Sequence, residues 1–298
     1  MKIIVKNVLC TLLLLPVTLA VFCQSKTGPA KSINNLPNAV IIRPDFKKYF
    51  DECGVEGAIV IYDYKKQLWI LSDTVSTIQE TLPASTFKII NMLIALETGT
   101  ILNENHVVKW PGKTDTIKYG YRPEIYHDIS VKKAFEVSAG WAFIELAKKI
   151  DRSTYKKYLI QCGYGNADLS ESGADFWNFG SLGISPISQV EFLKRLYDGK
   201  LPFSKRNLNV VKRVMITEQN QIYTIRSKTG WTMANQINTG WWVGYLEKQN
   251  EAYFFATRLL QDRKNNRPDF STCRKEITRS VLKDLKIIPP SNDVKTRH

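Results

Sequence analysis

The sequence predicts a mixed α/β fold, in which an antiparallel sheet is flanked by helices and adjoined by a helical lobe. Three observations carry this. Strand-like runs occur at both ends, at 57–63 and 67–71 and again at 221–227, 238–247 and 252–258. Helical spacing dominates the stretch between them, and a last helical pattern closes the chain at 274–285. A sheet buries its apolar faces only against another layer, so the helices must cover it as well as form a lobe of their own.

Residues 57–63 are β-branched and aromatic, and 67–71 is their hairpin partner across Tyr64, Lys65 and Lys66. Pro83 then precedes Phe87, Ile90, Leu93 and Ile94, which recur at helical spacing. Ile89, Met92 and Ala95 fill its other faces, which predicts a largely buried helix, and Gly99 is its stop. Residues 105–128 are polar, aromatic and turn-rich. Residues 134–150 read as a helix weakened by Gly140, and Asp151 starts another that ends near Gly163. Residues 163–183 read as loop. Helices are expected at 187–196, behind Ser185 and Pro186, and at 205–218.

The chain has 298 residues, 44% hydrophobic and 23% charged, which is enough apolar content for one sizeable core. Lys2 and Lys6 precede an apolar stretch at 8–23 interrupted by Pro16. It is short for a membrane span, so 1–23 reads as an export signal and 24–38 as a polar linker. A membrane anchor is one alternative. Lipid attachment at Cys23 is another, with bulky Phe22 standing where a small residue belongs. The working domain then spans 39–298 and faces outside the cytoplasm, in a bacterial periplasm.

The net charge is +14, and loss of Lys2 and Lys6 leaves +12. The basic residues are scattered in pairs such as Lys47–Lys48 and Lys132–Lys133, outside any nucleic-acid module, so no nucleic-acid partner is expected. Cys53, Cys162 and Cys273 remain after the leader. They form neither a disulfide framework nor a metal spacing, and a single pair could bond. With His106, His127 and His298 the only histidines, a zinc site or a Ser–His–Asp triad has few bases to draw on, and no metal is expected. No coiled-coil pattern or swap element argues for an oligomer.

Ser85 and Lys88 lie three apart at the start of the first strong helix, on one face of it. A serine hydroxyl needs an adjacent base, and a lysine serves only when uncharged or converted to a carbamate. Alone, the pair is better described as a capping serine and a surface lysine. Apolar Phe87, Ile89 and Ile90 favour a desolvated amine. Much later come Lys228, Thr229, Gly230 and Trp231, after the strand at 221–227.

Ser–x–x–Lys upstream with Lys–Thr–Gly on a late strand marks the penicillin-recognising serine enzymes. Tyr164-Gly-Asn166, Phe176-Trp177, the run from Gln189 to Leu193, Gly240-Trp-Trp-Val-Gly244 and Arg274-Lys275 narrow this further. In these residues, from about 41 to 288, the chain resembles the class D serine β-lactamases, the oxacillinase family. The resemblance implies the serine β-lactamase and penicillin-binding-protein fold and hydrolysis of small-molecule β-lactams. It implies that Ser85 is acylated and that Lys88, carboxylated by carbon dioxide or bicarbonate, is general base in both half-reactions. Trp177 would steady that carbamate and Ser138 relay a proton to the lactam nitrogen. Lys228, protonated, would hold the substrate carboxylate with Thr229 and Arg274, and the backbone N–H groups of Ser85 and Trp231 would form the oxyanion hole. Gly230 would let the strand edge approach the ligand.

One motif departs. The family has Ser–x–Val where this chain has Ser138, Ala139 and Gly140, followed by Trp141. Loss of the apolar branch predicts a weaker carbamate, activity that responds to bicarbonate, and slower deacylation, unless Trp141 swings in as cover. The alternative function is therefore an antibiotic-sensing or slow-turnover penicillin-binding protein that is acylated but released poorly. Such sensors normally follow a large membrane-embedded segment, and cell-wall transpeptidases lack the Tyr–Gly–Asn and tryptophan set. A non-enzymatic envelope protein on this fold would not be labelled at Ser85.

Overall fold

The computed structural model describes Ile33, residues 36–265 and residues 267–290. The leader at 1–23, most of the 24–38 linker and His298 lie outside the described residues. No helix among the described residues is long and apolar enough to cross a membrane.

Strands from both chain ends build one seven-stranded sheet. β1 (Ala39–Ile42), β2 (Glu56–Asp63) and β3 (Leu68–Leu71) come from the start. β6 (Ile216–Gln219), β7 (Thr224–Ala234), β8 (Ile237–Lys248) and β9 (Glu251–Asp262) come from the end. The order is β1-β3-β2-β9-β8-β7-β6. All neighbours are antiparallel except the edge pair β1 and β3, which is parallel.

The central strands are buried on both faces, so they read as continuous apolar runs. Val60, Tyr62, Trp241, Val243, Tyr245, Phe254 and Ala256 join one core, and Ile59, Ile61, Trp242, Leu246 and Phe255 the other. The first face meets α8 (Pro186–Tyr197), whose N-cap Ser185 accepts from Ser188 N–H behind Pro186. The second face meets α1 (Lys47–Glu52) and α10 (Phe270–Asp284). Cys53 and Cys273 join these two helices in a disulfide, and Cys162 stays free and buried. That resolves the pairing left open by the sequence. Burial pushes the Cys162 thiol up to about 12, so it is an unreactive core residue.

The lobe is organised around α2 (Lys88–Glu97), in which every residue from Lys88 to Leu96 is buried. α5 (Gly140–Ala147) and α9 (Lys205–Val214) pack against it. Asp151 is the N-cap of α6 (Arg152–Cys162), and Gly163 ends it at φ 56°. The helix expected at 134–150 is in fact two, α4 (Val131–Glu136) and α5, broken at 137–139. The expected helix at 205–218 stops at Val214, where the chain turns into β6. Residues 105–128 contain β4 (Val107–Val108) and α3 (Thr116–Tyr119), with β4 paired to β5 (Ile129–Ser130). The loop at 163–183 contains α7 (Phe176–Phe179).

The disulfide spans 220 residues of sequence, so it removes much freedom from the unfolded chain. Cys53→Ser is expected to lower the unfolding free energy by about 2–5 kcal/mol, read by denaturant titration without reductant. An unchanged transition midpoint would show that the cross-link adds nothing to stability.

Candidate active site

Ser85 sits in a single 3-10 turn, Ala84–Phe87, that runs directly into α2. Ala84 holds φ 51°, a left-handed conformation that costs an alanine on the order of 1 kcal/mol. The turn keeps that conformation because it is tied on several sides. Trp241 Nε1 donates to Leu82 O at 2.9 Å, Gln189 Nε2 on α8 donates to Thr86 Oγ1 at 2.9 Å, and Thr86 Oγ1 donates to Pro83 O at 2.6 Å. Strand β7 lies against the turn. A Cβ on Gly230 would stand 3.0 Å from Pro83 O and 3.2 Å from Thr86 Cγ2. The glycine at 230 thus admits the nucleophile turn, and it lines the cavity as well.

One helical turn brings Lys88 Nζ to Ser85 Oγ at 2.7 Å. The lysine is fully buried, with its nitrogen over the Phe143 ring on α5. Burial first, and then the charge of Arg122, lower its pKa to about 7. As pH falls through that value the free amine gains a proton and stops being a base. Phe87, between the two residues in sequence, stacks on Trp177 of α7 at 4.9 Å. Trp177 is buried, and its Nε1 has no hydrogen-bond partner among the described residues. A buried donor left without a partner calls for an acceptor, and a carboxylate carried on Lys88 is the acceptor that the resemblance to the family implies.

The Tyr164, Gly165 and Asn166 motif folds the loop that carries Trp177. Gly165 has φ 56° and a Cβ there would lie 1.9 Å from Gly183 O, so no other residue fits. Asn166 donates to Ser181 O and accepts from Gly183 N–H, closing the loop on itself.

Ser138 occupies the break between α4 and α5, at φ 58°. Its Oγ accepts from Lys228 Nζ at 3.1 Å, and the same nitrogen donates to Thr229 O at 3.0 Å. Lys228 lies inside β7, not after it as the sequence suggested. Its pKa falls well below the lysine range because it is buried, and next because Lys88, Arg274, Lys275 and Arg122 are cations. Pairing of β7 with β6 ends at Arg226. Ser227 N–H faces away from β8, onto Met215 O at 2.7 Å. The two-residue period of a strand turns the N–H groups of Thr229 and Trp231 to that same open side. Arg274 on α10 donates to Gly230 O at 2.7 Å, and burial lowers its pKa to about 10.

These groups surround a cavity of about 510 Å³. Ser85, Ser138, Thr229, Gly230, Trp231 and Arg274 line it, together with Gly140. The sequence reading missed Arg122 and Asn178, both of which line it too. No motif marked Arg122. Asn178 follows Trp177 directly, and its carbonyl accepts from Thr232 Oγ1 at 2.6 Å. A Cβ on Gly140 would meet nothing within 4 Å. Trp141 lines the cavity beside Gly140, with its Nε1 donating to Ile125 O at 2.8 Å and its ring edge-on to Trp110. His127 is exposed, and neither His127 nor His106 lines the cavity.

Residues 44–283 match the model of the penicillin binding protein transpeptidase domain. The chain is 36% identical to β-lactamase OXA-10 of Pseudomonas aeruginosa over 269 residues, covering 89% of this chain and 95% of that one. It is 37% identical to β-lactamase OXA-48 of Klebsiella pneumoniae over 241 residues, covering 81% and 88%. The crystal structure of a class D β-lactamase from Sebaldella termitidis superposes with a TM-score of 0.79 at 37% identity, covering 84% of this chain and 99% of that one. Identity above a third along most of each chain, on a fold that superposes, places this chain among the class D serine β-lactamases, hydrolases that open β-lactams through an acyl-serine with a carboxylated lysine as general base.

Proposed function

We propose that Ser85 is the acylated nucleophile, that Lys88 is the lysine carboxylated by carbon dioxide, and that residues 39–298 form the exported, periplasmic catalytic domain. The observation that carries the reading is the 2.7 Å contact between Ser85 Oγ and a fully buried Lys88 Nζ. The carbamate supplies a carboxylate base where a lone amine would be close to half protonated at neutral pH. Trp177 Nε1 would donate to it and hold its plane.

Ser85 Oγ attacks the lactam carbonyl and gives its proton to the Lys88 side. The N–H groups of Ser85 and Trp231 meet the developing oxyanion, where one donor in a known hydrolase is worth about 2.7–4 kcal/mol. Ser138 Oγ, held by Lys228, passes a proton to the leaving lactam nitrogen. Thr229, Arg274 and Lys228 receive the substrate carboxylate. Burial lowers the Lys228 pKa most and the Lys88 charge next, so a negative charge on Lys88 would replace that second, repulsive effect with an attraction that favours protonated Lys228.

Slow release is the second reading, and the open space at Gly140 favours it. With no apolar branch there, water and carbon dioxide have more room in the cavity that Ser85 lines. Turnover of a chromogenic cephalosporin should therefore rise when bicarbonate is added to degassed buffer, and less so in Gly140→Val. Equal stimulation of the two enzymes would remove Gly140 from the argument.

Brief and long exposure to a penicillin, followed by intact-mass analysis, tests the central roles. Ser85→Ala should gain no acyl mass. Lys88→Ala should acylate slowly and keep the adduct. Normal turnover in either variant is incompatible with the assignment. Arg274→Ala should lose roughly 1.5–3 kcal/mol in kcat/KM on carboxylate-bearing substrates, the scale of a charged hydrogen bond. A wild-type kcat/KM would place Arg274 outside the binding set.

A further inference from the structure

Arg122 has no assigned part in the reaction, yet it is held firmly at the cavity. Tyr126 stacks on Trp110 at 4.9 Å, its hydroxyl donates to Gly120 O, and the same oxygen accepts from Arg122 N–H at 2.9 Å. The backbone at 122 is therefore fixed from both sides. Its guanidinium donates through Nη2 to Val137 O at 3.1 Å and through Nε to Glu124 Oε1 at 3.0 Å. Val137 directly precedes Ser138, which holds left-handed backbone and lines the same cavity as Ser85. Gly140, two residues further, opens the same wall.

The charge around the cavity is one-sided. Lys118, Arg122 and Arg274 line it, and no aspartate or glutamate is among its lining residues. Lys118 is already paired with Asp175 at 3.0 Å, and Arg274 is turned to Gly230 O on the β7 side. Glu124, the partner of Arg122, is exposed and so screens it only weakly. Arg122 and Ser85 line the same cavity, and Ser85 Oγ lies 2.7 Å from the Lys88 nitrogen, whose ammonium form is disfavoured first by burial and then by the charge of Arg122.

We propose that Arg122 is a positioning residue for this reaction: its fixed cation, gripping the chain just before Ser138, holds the carbamate on Lys88 at a wall that Gly140 leaves uncovered. This rests on the reading that Lys88 is the carboxylated base. Carbon dioxide adds only to a neutral amine. The nitrogen lone pair forms the N–C bond, one C–O π pair moves onto oxygen, and one nitrogen proton leaves to solvent. One negative charge is created on the group, and one proton is released. Arg122 favours both sides of that step, since a nearby cation disfavours the ammonium form and attracts the anion that replaces it.

The test is a titration of the whole chain with carbon-13 bicarbonate in low-salt buffer, reading the carbamate resonance by NMR rather than turnover. Arg122→Gln should raise the bicarbonate midpoint about tenfold, the effect of one unit of pKa-scale interaction. Arg122→Lys, which keeps the charge, should stay within about threefold of wild type, as expected for a conserved point charge. Glu124→Gln, an exposed change that tolerates folding, unscreens Arg122 and should lower the midpoint by about twofold. An unchanged midpoint in Arg122→Gln, or an unchanged or higher one in Glu124→Gln, overturns the proposal. A midpoint in Arg122→Lys as poor as in Arg122→Gln also overturns it, in favour of a purely mechanical hold on Val137. If the wild-type chain gives no carbamate resonance at saturating bicarbonate, the reading of Lys88 fails and not merely the role of Arg122.

Discussion

The site depends on an amine placed where water cannot reach it. Lys88 is fully buried, and its Nζ donates to Ser85 Oγ at 2.7 Å. An ammonium in such a place needs a counter-charge, and the residues lining the cavity include no carboxylate. The group must therefore go neutral or acquire an anion of its own. Helix geometry sets the rest. Residues 85 and 88 share a face, while Phe87 between them stacks on Trp177. One short turn thereby brings nucleophile and base together.

That turn would not keep its geometry alone. Ala84 and Ser138 both hold left-handed backbone, and each is sustained by packing from several elements. Arg258 of β9 donates to Gln79 O and Ser76 O, fixing the chain that leads into the turn. Trp241 of β8 holds Leu82, α8 holds Thr86, and β7 closes over Pro83 across Gly230. Sheet and lobe meet at this point, which is why the cavity lies between them. Strain held by so many contacts is what a preorganised site requires, because donors already in place need not move when charge develops.

Much of this was legible in the sequence, for physical reasons. β2, β8 and β9 are buried on both faces, so their apolar runs are unmistakable, and α6 and α8 announce themselves through Asp151, Gly163, Ser185 and Pro186. The pair at 85 and 88 needed only helix periodicity. What failed was set by tertiary context. The break between α4 and α5 has no proline, and its strained Ser138 is held by distant residues. β6 follows α9 without a turn signal and exists because β7 offers it an edge. Lys228 reads as lying after a strand because its run is polar, yet pairing with β8 carries β7 on to Ala234. Arg122 was invisible because its importance lies in where residues 120–126 fold back, which no local pattern states.

The two buried lysines answer to each other, and this links base to binding. Lys228 sits well below the lysine range partly because Lys88 is a neighbouring cation in its free form. In the proposed roles, one event at Lys88 does two things. It creates a carboxylate base next to Ser85, and it turns a repelling neighbour of Lys228 into an attracting one. Lys228 then takes up the proton with which it holds Ser138 Oγ and the substrate carboxylate. Loss of carbon dioxide would reverse both, so it would weaken substrate binding and proton delivery as well as the base. In an enzyme with a bulky cover over Lys88 that coupling stays hidden, because the group rarely leaves. Here the wall at Gly140 is open, and a Cβ there would touch nothing. If Lys88 is the carboxylated base, its charge state would then answer to the surrounding bicarbonate, and Lys228 and Ser138 would answer with it.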